Sequence, residues 1–112
     1  MAFSEFELFK IEKALAAFQA RHGDVTGPSQ VLYRMDGHAI EVYLQHPSYR
    51  DPAKLVQTSI CKLTWVGTQK VWRLAWLRVS LKWCRYEPMP TARDIEAALA
   101  AVSADPYGCF FG

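Results

Sequence analysis

The stretch from residue 30 to residue 86 alternates between apolar and polar residues, and this pattern constrains the fold more than any other feature of the sequence. In its clearest part, Ile40, Val42 and Leu44 alternate with polar or amphipathic residues. Successive side chains of a β-strand point to opposite faces. Strands with one apolar face are typical of an antiparallel sheet that is covered on one side. We therefore expect a one-sided antiparallel sheet.

The alternation predicts four strands, over residues 30–35, 38–46, 55–66 and 71–86. Asp36-Gly37 separates the first two and suits a type I′ hairpin turn. Residues 67–70, Gly-Thr-Gln-Lys, form a second turn sequence. Short connections of this kind join neighbouring antiparallel strands.

The fourth predicted strand does not keep one apolar face. Trp72, Leu74 and Trp76 share one parity, whereas Leu77 and Val79 have the other. A bulge near residues 78–80 would exchange the two faces, because one inserted residue shifts the alternation. Alternatively, both faces are covered there.

A helix is predicted before the sheet, over residues 4–22. Ser4 and Glu7 form a capping box, and Leu8 and Ile11 begin an apolar stripe at helical spacing. Gly23 is expected to end this helix in a left-handed conformation.

A second helix is predicted over residues 91–103, with Thr91 as its N-cap and Asp94 at its third position. The apolar tail, residues 107–112, is expected to pack against the protein. The sequence thus predicts an α+β fold, a four-stranded antiparallel sheet with an N-terminal and a C-terminal helix packed on it. The expected core consists of Leu8, Ile11, Leu15, Phe18, Ile40, Val42, Leu44, Leu63, Trp65, Ile95, Leu99 and Val102.

Length and composition exclude several classes of protein. With 112 residues, of which 51% are hydrophobic and 21% charged, we expect a single globular domain over 1–112 rather than a disordered or coiled-coil chain. No apolar run approaches the ~20 residues of a membrane span, so we expect no membrane partner. The N-terminus lacks the pattern of a signal peptide, and a cytoplasmic location is expected.

The 3 cysteines contain no C-x-x-C pair, so we expect reduced thiols and neither a metal site nor a cofactor.

Charge is distributed unevenly along the chain. Residues 54–86 contain seven Lys or Arg and no acid, although the net charge of the chain is only +2. The same segment holds all 4 tryptophans. Cations interleaved with flat aromatic rings are typical of surfaces that bind single-stranded nucleic acid. Strand alternation turns four of the cations outward, Lys62, Arg73, Lys82 and Arg85, and the face of Arg78 depends on the proposed bulge.

A plainer interpretation also fits this segment, in which the tryptophans belong to the core and the cations to a solvated face. The sequence contains no recognisable catalytic or nucleotide-binding motif. A non-catalytic binding or interaction module is therefore our leading interpretation. The alternatives are a nucleic-acid or anionic-ligand binder and an enzyme with an unrecognised site. The apolar residues 74–77 further predict self-association, as in a homodimer, if one face of the sheet is left uncovered.

Residues 76–88, Trp-Leu-Arg-Val-Ser-Leu-Lys-Trp-Cys-Arg-Tyr-Glu-Pro, resemble a bacterial family of unknown function, DUF3024. The family's pattern here is Trp-Met-Arg-Ala-Asp-Leu-Lys-Trp-His-x-Tyr-Glu-Pro. The chain's opening residues, the turn at 33–37 and the C-terminal residues 107–112 are similar to the family too. The resemblance implies no established activity, but it adds candidate binding positions at Arg78, Lys82, Trp83, Tyr86 and Glu87. The sequence departs from the pattern at Ser80 and Cys84, which replace an acid and a histidine. If those two formed a polar site, this member has lost it.

Overall fold

The computed structural model describes residues 3–23 and 27–111, which form an α+β structure with two helices on one face of an antiparallel sheet. The elements in chain order are α1 (Glu5–His22), β1 (Gln30–Asp36), β2 (Ala39–Pro47), β3 (Leu55–Val66), β4 (Val71–Leu77), β5 (Trp83–Arg85), β6 (Thr91–Ala92) and α2 (Ile95–Ala104). The predicted fold class is therefore confirmed in outline.

The sheet has six strands rather than the four predicted from the alternation. Its order is β1-β2-β3-β4-β5, and every neighbouring pair is antiparallel. The short strand β6 pairs with β4 beside β5, so that both short strands share one edge of β4. The undercount has two causes: β5 falls within the single strand predicted over 71–86, and β6, with two residues, is too short to show an alternation.

The start of α1 agrees with the prediction, but its end differs. Ser4 Oγ accepts a hydrogen bond from the Glu7 backbone, and the Glu7 carboxylate accepts one from the Ser4 backbone. At the other end, Gly23 is extended, with φ of −93°, rather than left-handed.

The hairpin between β1 and β2 turns one residue later than expected. Asp36 still pairs with Ala39, so the two loop residues are Gly37 and His38. Gly37 has a φ of +60° and His38 does not have a positive φ. A glycine with positive φ in the first loop position is the pattern of a type II′ turn, not the predicted type I′.

The prediction of one long strand over residues 71–86 is wrong, because the chain reverses after Leu77. The Arg78 backbone N–H donates to the Lys82 carbonyl, and the Leu81 N–H donates to the Arg78 carbonyl. These bonds leave residues 79–81 as a three-residue loop. Its last residue, Leu81, is left-handed, with a φ of +64°. Glycine is usual at that position of such a loop. Leucine gave no turn signal, and the reversal therefore looked like a change of parity in one strand.

The bulge in the sheet lies in β3, not near residues 78–80. The register between β2 and β3 shifts after Val42, which pairs with Cys61, while Tyr43 pairs with Ser59. Ile60 is the additional residue, and both Ile60 and Cys61 are buried. The bulge thus places two consecutive side chains of β3 in the core.

The N-cap of the second helix lies three residues later than predicted. Asp94, not Thr91, is the N-cap of α2, and its carboxylate accepts a hydrogen bond from the Ala97 N–H. Thr91 instead belongs to β6, where it pairs with Arg73 of β4. After the helix, the Asp105 carboxylate accepts hydrogen bonds from two backbone N–H groups of the tail, those of Phe110 and Phe111. In the tail, Phe110 is buried and Cys109 half-buried as expected, but Tyr107 and Phe111 are 71% and 43% exposed, and Gly112 lies outside the described residues.

The core lies between the helices and the sheet. Of the twelve predicted core residues, Leu8, Leu44 and Trp65 are partly buried at its margin and the other nine are buried. Burial of a large aliphatic side chain contributes about 1.5–3 kcal/mol, so this layer dominates the stability of the fold. His22 Nε2 and Ser103 Oγ, 2.8 Å apart, connect the two helices at their C-terminal ends.

Gly23 lies where the end of α1 approaches β1 closely. A Cβ atom at this position would be 2.9 Å from the Gln19 carbonyl oxygen and 3.3 Å from the Val31 nitrogen. Both neighbours are backbone atoms, which cannot move aside by changing a rotamer.

We expect Gly23→Ala to destabilise the protein by about 1–3 kcal/mol, the usual cost of forcing extra atoms into a packed site. Gly67→Ala is the matched control, because its Cβ would meet only the Trp65 side chain at an ordinary 3.6 Å. Urea unfolding of both variants measures the difference. Equal stability of the two would show that the approach at Gly23 is not constrained.

Candidate functional site

We call the face of the sheet opposite the helices the outer face. It carries two short rows of side chains that run across β3, β4 and the two short strands β5 and β6. Lys62, Ala75 and Arg85 are directly paired and form the first row. The second row is Thr64, Arg73 and Thr91. Paired residues of antiparallel strands point to the same face. The register therefore gathers on one surface three of the four cations that the alternation turned outward, Lys62, Arg73 and Arg85.

The acid nearest to this surface in the register is already engaged elsewhere. Glu41 pairs with Lys62 across β2 and β3, but its carboxylate lies 3.5 Å from Arg34 Nε and accepts a hydrogen bond from Ser59 Oγ at 2.6 Å. The Arg34 guanidinium also lies 4.2 Å from the centroid of the Tyr43 ring. The polar groups of this half of the outer face thus satisfy one another.

Lys62 interacts with an aromatic ring instead of an acid. Its Nζ is 5.8 Å from the centroid of the half-buried Trp83 indole ring. A cation at this distance is attracted by the ring's quadrupole. Among residues 3–23 and 27–111, neither Lys62 nor Arg73 forms an ion pair.

Arg85 is the cation of the first row that has a local acidic partner. Its Nε lies 2.5 Å from Glu87 Oε1, and this hydrogen bond and the charge of Glu87 raise the pKa of Arg85. Both side chains are well exposed, so the pair is screened by water and is readily exchanged for another partner. Glu87, a predicted site residue, therefore sits beside the surface as the counter-ion of Arg85.

A shallow depression of about 570 Å³ lies over these rows. No acidic side chain lines it. Its lining comprises Lys62, Thr64, Gln69, Arg73, Leu74, Ala75, Trp83, Cys84, Arg85, Pro90 and Thr91. The geometry thus provides cations, hydroxyls and one indole ring on an open surface.

Three of the predicted site residues lie elsewhere. Arg78 and Lys82 are exposed in the β4–β5 loop and do not line the depression. The alternation placed Lys82 on a strand, but it belongs to the turn. Tyr86 is only 2% exposed and packs against Phe110, with ring centroids 4.7 Å apart. Burial first, and then the nearby Cys109, raise the pKa of Tyr86. As a core residue it cannot contact a ligand on the outer face.

The sequence interpretation missed the polar residues that accompany the cations. Thr64 lies two residues after Lys62 in β3 and therefore points to the same face, so the alternation could have identified it. Gln69 and Thr91 carried no such signal, because one lies in a turn and the other in a strand of two residues.

The three cysteines are free thiols. Cys61 is buried, which raises its pKa, while Cys84 and Cys109 are half-buried. Within the described part of the chain, no three His, Cys, Asp or Glu side chains come together as a possible metal site. No helix among these residues is long and apolar enough to cross a membrane.

A family model described as a domain of unknown function, DUF3024, matches residues 3–112. The chain belongs to the DUF3024 family. No curated protein and no solved structure matches the chain. The two departures from the family's pattern fall at different places: Ser80 is in the exposed β4–β5 loop, and the half-buried Cys84 pairs with Trp76 on β4.

The burial of Cys61 predicts a large difference in thiol reactivity. A variant with Cys84→Ser and Cys109→Ser keeps Cys61 alone, and we expect it to react with a disulfide reagent only as fast as the protein unfolds. A thiol with a raised pKa forms little of the reactive thiolate, and burial blocks access to it. The control is the wild-type chain, in which the half-buried thiols react first. Rapid labelling of Cys61 in native buffer would contradict the prediction.

Proposed function

We propose that this domain is a non-catalytic binding module that takes single-stranded nucleic acid on its outer face. The observation that carries the proposal is the gathering of Lys62, Arg73 and Arg85 around Trp83, on a sheet face that neither helix covers. Two of these cations have no acidic partner among the described residues.

The chemistry of this surface suits a flexible polyanion. Lys and Arg neutralise phosphates and release counterions, which provides affinity without dependence on base sequence. An indole ring offers a stacking platform for a base, worth about 1–3 kcal/mol. A four-stranded sheet whose exposed aromatics stack two or three bases is an established way of holding unpaired bases.

The shape of the depression also favours a bound chain over a small substrate. It is broad, and its lining spans the outer face from β3 to β6. Pockets that bind small ligands usually enclose most of the ligand surface. A strand of nucleic acid could cross the depression with its phosphates near the three cations and one base near Trp83.

Titration of tryptophan fluorescence with a generic single-stranded oligonucleotide tests this function. With three phosphate contacts, we expect affinity to fall roughly 20-fold between 50 and 200 mM salt, since each contact contributes about −0.7 to the log–log slope. The double variant Lys62→Gln with Arg73→Gln should bind more weakly and lose about 1.4 of that slope by the same rule.

Arg50→Gln with Lys54→Gln is the matched control. It also removes two cations, but these are exposed in the β2–β3 connection and do not line the depression. We expect it to bind like the wild type. The proposal would be wrong if binding were absent at tens of micromolar protein, if it were indifferent to salt, or if this control weakened it as much as the double variant.

A further inference from the structure

The side of α1 that faces away from the core is unusually apolar. Phe6 and Phe9 are 71% and 63% exposed, respectively. The buried stripe of the same helix is made by Ile11, Leu15 and Phe18, so the two phenylalanines are not needed for the core. Neighbouring exposed aromatic rings of this kind mark interaction surfaces.

The other half of this exposed side carries small residues. With 100° between successive residues, Ala16, Ala17 and Ala20 lie along the same side of α1 as the two phenylalanines. All three alanines are exposed. One side of the helix is therefore bulky near its N-terminus and small near its C-terminus.

A groove adjoins the small half. It has a volume of about 190 Å³ and runs between α1 and α2, where Ala14, Ala17, Leu99 and Ala100 contribute apolar lining. Its charged lining residues are one acid, Glu96, and one base, Arg21.

These features complement one another if a second copy of the chain packs with its α1 antiparallel to the first. Around a two-fold axis near Lys13, Phe9 of one copy faces Ala16 of the other, and Phe6 faces Ala20 and the groove beside Ala17. Such a pairing is isologous, with the same surface used twice. A parallel pairing would instead place phenylalanines against phenylalanines and alanines against alanines, so that the bulky halves would hold the small halves apart.

Charge selects the same orientation. The first turn of α1 carries the exposed acid Glu5, and its last turn carries the exposed base Arg21. An antiparallel pair places each acidic end beside the basic end of the other copy, and it also sets the two helix dipoles in opposition. Lys13, beside the axis, has a long side chain that can extend to solvent while its stem covers apolar surface.

We propose that the protein forms a two-fold symmetric homodimer through the exposed side of α1, with Phe6 and Phe9 of each copy packed on the alanine half of the other. This interface replaces the one expected from residues 74–77. There Leu74 is buried, and Trp76 packs against the core of its own chain. The interface lies on the helical side of the sheet, so both outer faces stay open and the proposal does not depend on nucleic-acid binding.

Sedimentation equilibrium of the full chain tests the dimer. We expect a dimer at tens of micromolar, and Phe6→Ala with Phe9→Ala should weaken association by about 30-fold or more, as truncation of interface anchors does. Alanine suits a helix, so circular dichroism should show an unchanged fold. The matched control is Val79→Ala with Leu81→Ala, which removes two exposed apolar side chains of the β4–β5 loop. This control should remain dimeric, and a monomeric wild type or a control that dissociates equally would overturn the proposal.

Disulfide cross-linking tests the antiparallel direction separately. In the background of Cys84→Ser and Cys109→Ser, we expect Lys13→Cys to cross-link to its twin on mild oxidation, because the two positions meet at the axis. Ala20→Cys is the control on the same side of the helix. It lies about 10 Å along the helix from the axis, so its twin is roughly 20 Å away. A disulfide needs Cα atoms within about 7 Å. Cross-linking at both positions indicates a parallel pair, and cross-linking at neither indicates another interface; either result overturns the proposal.

Discussion

Both helices pack on the same face of the sheet, and the rest of the structure depends on this one-sided covering. α1 and α2 are joined to each other by the His22–Ser103 hydrogen bond, and between them and the sheet lie the fully buried side chains of Leu15, Ile40, Leu63 and Leu74. A sheet can place an apolar face on its helices and a polar face in water because successive side chains alternate. The arrangement therefore divides each central strand into core residues and outer residues.

The one-sided covering also explains how so many cations can occur in one segment without destabilising the fold. Charged side chains are strongly disfavoured in an apolar core unless they are paired. Since the alternate positions of β3 and β4 face solvent, Lys62 and Arg73 keep their hydration while their neighbours Leu63 and Trp72 are buried. The tryptophans of the basic segment are accordingly divided between the two sides of the sheet. Trp72 belongs to the core, and Trp83 belongs to the outer face beside Lys62.

Local signals in the sequence were reliable where a whole element could be recognised from contiguous residues. The capping box of α1 and the apolar stripe that follows it describe an element stabilised by its own backbone bonds. The alternation of β2 and β3 likewise required only that one face be buried. The predictions were wrong where a residue adopts a conformation that its type does not favour or where its type suits two kinds of element. Leu81 adopts a left-handed conformation that leucine rarely takes, so the reversal after Leu77 showed only as a change of parity and not as a turn sequence. Thr91 is a good helix cap by type, but pairing with Arg73 holds it in a strand.

The sequence by itself therefore determined the α+β class, the two helices, most of the core and the basic character of the segment over 54–86. These properties follow from residue type and from the periods of helices and strands, which act over a few residues. Only the tertiary structure decided which cations share a surface. The strand reversal at 78–82 places Arg85 in the same row as Lys62, on the far side of Ala75, and leaves Lys82 in a turn. The engagement of Glu41 by Arg34 leaves Lys62 free to lie over Trp83. Such neighbours are distant along the chain, and no local propensity specifies them, because the register of the assembled sheet brings them together.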